Sequence, residues 1–147
     1  MTNPGSYRDS EASGEIPAEE SPRAKPTSDA LRSAVLAALD DVVDPCSVSA
    51  GVALGLVQMG LVRDLSVDPS GNVTVVLRLT SPGCIIGVVQ FPEQIHKRLA
   101  GVDGVADVNV EFDHNFDWSE DTISAQGRER LAEVRKARLL RLTARLR

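Results

Sequence analysis

Two cysteines and two histidines mark where this chain could do chemistry, and Cys84 is the most informative of them. It stands at the seam of Thr80-Ser81-Pro82-Gly83-Cys84-Ile85-Ile86-Gly87, where an alternating apolar pattern stops at a Pro-Gly turn and a helical stripe begins. A thiol at a helix start meets backbone N–H groups that have no partner within the helix, at the positive end of the helix dipole. Both favour the thiolate. That is the form that attacks electrophiles and binds soft metals. The competing reading is a small buried apolar residue, a common use of free cysteine. Cys46 follows Asp44-Pro45 and opens an uncharged stretch, so it too can face a cleft. No C-x-x-C pair occurs, which leaves the common zinc spacing without support. His114, in Asp113-His114-Asn115-Phe116-Asp117-Trp118, is a candidate base for a thiolate, although loop polarity explains it equally well. His96, beside Lys97 and Arg98, reads as part of a solvated helix face, and Asp44 as a helix-ending or turn residue.

The elements that must hold these residues can be traced along the chain. Leu31, Val35, Leu39 and Val42 recur at helical spacing behind Thr27, Ser28 and Asp29, predicting a helix over about 29–42 that ends at Asp44-Pro45. The uncharged run from Pro45 to Val62 contains Ser47, Ser49 and Gln58 and is short for a membrane span, so it is expected to be a buried loop with a short helix. Val62–Val67 and Val73–Thr80 read as strands joined by the turn Asp68-Pro69-Ser70-Gly71-Asn72, with Val73, Val75, Leu77 and Leu79 on one face. Ile85, Val88, Pro92, Ile95 and Leu99 trace a second helical stripe. Gly101 is the expected left-handed cap, and Pro92 the expected point of a kink or restart. Ala106, Val108, Val110 and Phe112 alternate with polar residues and predict a third strand, after which a C-terminal helix follows. The order helix, β-hairpin, helix, strand, helix predicts a small single α+β domain.

Composition narrows the function classes. The chain has 147 residues, 42% of them apolar, which fits one domain with tails. Residues 1–27 are rich in Pro, Ser, Glu and Ala and are expected to form a disordered tail, since they cannot bury enough surface to offset their ordering entropy. They also lack the apolar stretch of a secretory signal, so the expected location is cytoplasmic, with reduced cysteines. The formal charge of −5 divides into +6 over residues 128–147 and −11 elsewhere. So acidic a body argues against nucleic acid as a partner. Residues 136–147 read as a basic helical extension whose Leu139, Leu142 and Leu146 suit docking on an acidic surface, or simple solvation.

Asp44-Pro45, Met59-Gly60-Leu61-Val62 leading into the hairpin, Leu79-Thr80-Ser81-Pro82-Gly83-Cys84, and Trp118 ahead of a helix with Arg128 and Leu131 together resemble the SufT/PaaD-like family of iron-sulfur cluster assembly proteins. The resemblance covers about residues 29–135 and assigns 28–135 to that domain. It implies a small α+β fold, no known catalytic turnover, and a role in delivering or installing clusters in client proteins, with the functional cysteine at Cys84. The chain departs from the family pattern in having Cys46 where Glu usually follows Asp-Pro. Gln58-Met59 likewise stands where Asp-Leu is usual, and the stretch from Asp44 to Gly60 is longer.

On this reading Cys84 and Cys46 form a pair of soft ligands for a labile [2Fe-2S] cluster. One chain supplies two of the four thiolates such a cluster takes, so a homodimer or small thiols would complete it. The implied partners are apo iron-sulfur client proteins and the assembly machinery, with no stable membrane insertion. The alternatives are an adaptor that recruits the machinery without binding a cluster and, third, a thiol-dependent enzyme.

Overall fold

Thr27 opens the first helix by accepting the Ala30 N–H on its hydroxyl at 3.3 Å. Leu31, Val35 and Leu39 then line the buried face of α1 (Ser28–Asp40). The computed structural model describes residues 27–147, so the expected disordered tail lies outside the described residues apart from Thr27. The chain continues through α2 (Pro45–Ser49), the hairpin β1 (Val62–Val67) and β2 (Asn72–Arg78), α3 (Ile85–Leu99), β3 (Asp107–Asp113), a single 3₁₀ turn (Glu120–Thr122) and α4 (Ala125–Arg145). This is the expected α+β domain.

The sheet has the order β1-β2-β3. β1 and β2 pair antiparallel, whereas β3 returns parallel to β2 after the crossover through α3. The alternation in β2 buries Val73, Val75 and Leu77, and α1 and α3 pack on the sheet and on each other, adding Val35, Leu39, Phe91, Ile95 and Leu99 to one core. Leu54, Leu56 and Leu61, from the long connection between α2 and β1, fill its end.

Three expectations need correction. The inward face of α3 is Gly87, Phe91, Ile95 and Leu99, while Ile85 is 72% exposed and Val88 41%. The Phe91 ring sets this rotation. It sits against Gly87, where a Cβ would lie 2.8 Å from Phe91 Cε2. Gly101 is not a left-handed cap; the last carbonyls of α3 are met by Gly101 N–H to Arg98 O and Val102 N–H to Leu99 O, and the chain reverses at Gly104, with φ of 99°. Finally, α3 does not restart near Pro92 but runs through it as one helix. The carbonyl deprived of its partner belongs to Val88, on the exposed side, where water can satisfy it. His96 is exposed as expected, yet both its ring nitrogens face carbonyls, Nδ1 that of Pro92 at 2.5 Å and Nε2 that of Val108 at 2.9 Å, which ties α3 to β3.

α4 packs through Gly127, Leu131 and Val134. The basic extension at 136–147 continues the same helix to Arg145, with Leu139, Leu140, Leu142 and Leu146 exposed. Among the described residues no helix is long and apolar enough to cross a membrane.

Candidate functional site

Asp44 is the start of a helix, which corrects its reading as a terminator. Its Oδ2 accepts the Ser47 N–H at 2.8 Å, and Pro45 occupies the first helical turn, where its missing N–H costs nothing. The Ser47 hydroxyl donates to the Asp44 carbonyl at 2.6 Å and accepts the Leu54 N–H at 3.0 Å. Asp44 N–H to Leu54 O and Leu56 N–H to Val42 O close the segment into a loop, so α2 is held rigidly against the core. These bonds fix where Cys46 stands.

Cys84 is placed by the other side of the fold. β2 ends at Arg78, Leu79 is buried, and the Thr80–Gly83 turn closes with Cys84 N–H donating to Ser81 O at 3.1 Å. Cys84 is then the N-cap of α3, and it makes no side-chain capping bond. α1, α2 and α4 are each capped by an oxygen, from Thr27, Asp44 and Ser124. A Cβ on Gly87 would lie 3.1 Å from Cys84 Sγ. The sulfur therefore folds back over the first turn of α3, close to amides that no side chain caps.

The two cysteines meet in one cleft of about 460 Å³, lined by Pro45, Cys46, Ser49, Ser81, Gly83, Cys84, Ile85 and Ile86. The lining carries no charged side chain and no histidine. Cys46 Sγ lies 3.8 Å from Thr80 Oγ1, within reach of a weak hydrogen bond. The residue as a whole is exposed, but partial burial of the thiol pushes the Cys46 pKa up, and the nearby Asp44 and Cys84 act in the same direction while Thr80 opposes them. Both cysteines are free. His114 lies elsewhere, edge-on to Phe116 with ring centroids 6.2 Å apart, and does not line the cleft. Among the described residues no group of three or more His, Cys, Asp and Glu side chains could hold a metal ion. The arrangement is therefore two free thiols in a cleft whose lining carries no histidine and no carboxylate.

Cys46, whose thiol pKa burial raises, should accordingly alkylate more slowly than Cys84 near neutral pH. The difference should narrow as rising pH ionises Cys46; iodoacetamide labelling followed by peptide mass spectrometry measures both. A Cys46 that labels first at pH 7 would contradict this account.

Asp44 itself is fully buried, and its Oδ1 accepts no hydrogen bond. Burial pushes its carboxyl above the ordinary value, with the Ser47 and Cys46 N–H groups only partly offsetting the effect. A carboxyl raised by folding contributes stability below its unfolded pKa and loses it as pH rises through the folded one. Asp44→Asn keeps an oxygen for the Ser47 N–H. It should be more stable than the parent at pH 7, with the advantage vanishing in acid, as urea unfolding at several pH values would report. Greater loss at pH 7 than at pH 4 would reverse the assignment.

Sequence reasoning missed Thr80, Gly87 and Ser47 as supports. Asp40 was also missed; its carboxylate receives the Gln58 N–H at 3.0 Å and side-chain amide at 2.9 Å. A readable signal existed only at Asp44-Pro45, a helix-start pair.

Comparison with known proteins gives consistent matches. Residues 32–112 match the family model described as "Iron-sulfur cluster assembly protein". The chain is 31% identical over 96 residues to the Fe-S protein maturation auxiliary factor YitW of Bacillus subtilis, covering 65% of this chain and 88% of that one. It is 32% identical over 83 residues to the Fe-S protein maturation auxiliary factor SufT of Staphylococcus aureus, covering 56% and 88%. The crystal structure of a domain of unknown function, DUF59, from Bacillus anthracis superimposes with a TM-score of 0.62 at 28% identity, over 71% of this chain and 94% of that one.

Proposed function

Since this chain belongs to the iron-sulfur cluster assembly protein family, in its SufT/PaaD-like branch, we propose that it is a carrier that holds a labile cluster at Cys84 and Cys46 and passes it to apo client proteins. A role in iron-sulfur cluster assembly is supported by the family match and by the names of the relatives. The finer reading rests on one observation, that two free thiols from distant parts of the chain share a single uncharged cleft. Thiolates are the usual ligands of such clusters, and Ile85 and Ile86 line the cleft with aliphatic groups that do not compete for iron. The cluster is cargo here. Two ligands per chain bind it too sparsely for permanent tenure, which suits transfer by exchange with the four thiols of a client.

The decisive measurement is transfer. Protein loaded anaerobically should convert an apo [2Fe-2S] ferredoxin to its holo form in the presence of a chelator that captures free iron. If the chelator abolishes conversion, the carrier reading fails. The exposure of Ile85, Ile86 and Val89 beside the cleft favours a second reading, an adaptor that docks clients without holding a cluster. Client maturation that survives the loss of both thiols would favour it.

A further inference from the structure

We propose that the cleft is half of a site and that a second copy of this chain supplies the other half. The two copies would face each other across a two-fold axis and hold one [2Fe-2S] cluster between their Cys46 and Cys84 thiolates. This inference deepens the carrier reading and rests on it.

Ligand number is the first ground. A [2Fe-2S] core takes four outer ligands, and the described residues place two thiols in the cleft and no group of three or more metal-binding side chains anywhere. Surface chemistry is the second. Val48, Ile85, Ile86 and Val89 are 55, 72, 57 and 67% exposed, a concentration of bare aliphatic surface on the helices that carry the two cysteines, α2 and α3. A two-fold contact sets the same patch against itself, so what one copy exposes the other covers. Charge is the third. The chain carries −5 overall, and copies meeting through acidic surface would repel. The cleft lining is uncharged, and so are the four aliphatics beside it. Like therefore meets like there without electrostatic cost.

Four side chains expose an area well below the ~1,200 Å² at which specific protein pairs become stable. Two empty copies should consequently remain monomeric, and the cargo should bring them together by mass action. Loading from ferric iron and sulfide needs no reductant: two Fe³⁺ and two S²⁻ form the [2Fe-2S]²⁺ core. Four cysteine thiols release their protons as four Fe–S bonds form. Unloading replaces those four thiolates by four from an acceptor, which leaves the oxidation state unchanged. It also separates the copies and bares the aliphatic patch again.

The test uses the full chain, reconstituted anaerobically with ferric iron, sulfide and dithiothreitol, then analysed for iron, sulfide and mass by native mass spectrometry and sedimentation. Expected are a monomer before loading and a dimer with two irons and two sulfides after it. Ile86→Lys puts like charges across the axis, and should lower the loaded dimer fraction about tenfold or more while both thiols still alkylate. Leu139→Lys on the exposed part of α4 is the control and should load as the parent does. A loaded monomer whose mass includes dithiothreitol overturns the two-copy site and leaves the carrier reading standing. A dimer that persists before loading and in Cys84→Ser overturns the role of the cargo in joining the copies. Failure to retain iron and sulfide at all overturns the carrier reading together with this one.

Discussion

Replacing Cys84 by serine is expected to abolish cluster transfer to an apo client while leaving the domain folded. The hydroxyl is nearly isosteric with the thiol but is not a soft ligand, and at neutral pH it stays protonated. Nothing in the fold depends on the sulfur. Cys84 makes no capping bond, its side chain is partly exposed, and serine is a good N-cap that could accept an amide of the first turn. The change in unfolding free energy should therefore lie within about 0.5 kcal/mol of zero. Transfer should fall to the level seen with free iron and sulfide under chelator. Circular dichroism and urea unfolding read the first effect, ferredoxin conversion the second. Transfer that persists at a third or more of the parent rate would move the site away from Cys84.

Gly60→Ala should sharply lower stability. Gly60 has φ of 68°, and a Cβ there would lie 2.0 Å from the Thr122 carbonyl oxygen, a backbone atom that cannot swing aside. The neighbouring contacts explain why the approach is so close. Trp118 Nε1 donates to the Met59 carbonyl at 2.7 Å, and Ser124 N–H donates to the Gln58 carbonyl at 2.8 Å. The turn at Gln58–Gly60 is thus the anchor that seats the segment leading into α4. Alanine would combine an unfavourable φ with the parting of that anchor, and a loss of about 4 kcal/mol or more is expected. Domains of this size are stable by only about 5–15 kcal/mol, so the variant should melt far below the parent, with loss of α4 packing first. A melting temperature within about 5 °C of the parent, by calorimetry, would show that the segment can shift to make room.

This also accounts for part of the Met59-Gly60-Leu61-Val62 motif that carried the resemblance. The glycine is needed for the approach of Thr122, Leu61 is buried, and Val62 begins β1. Elements with a full period were readable in the same way: α1 from Leu31, Val35 and Leu39, and β2 from its strict alternation. What periodicity reports is which face is buried, not which neighbour buries it. The parallel return of β3 beside β2 was therefore not visible in Val108, Val110 and Phe112. α3 was misrotated because a count of apolar residues gives weight to Ile85 and Val88 and none to Gly87, although it is the glycine that admits the Phe91 ring. α2 has five residues, too few for a period to emerge. The meeting of Cys46 with Cys84 depends on that short helix and on hydrogen bonds between Val42–Asp44 and Leu54–Leu56, long-range facts that no local pattern encodes.

The parallel pairing of β2 with β3 also sets a schedule. The β1–β2 hairpin joins residues close in sequence, whereas Val75 must find Val110 across the whole of α3, and such non-local pairings form late because their loop entropy is lost before contacts offset it. Cys84 lies at the entrance to that crossover. A chain whose hairpin forms first would hold its two thiols apart, since the cleft needs both α2 and the start of α3 in place. On the carrier reading, loading waits until the crossover has closed and the cleft exists, so competence to carry cargo would belong to completed chains.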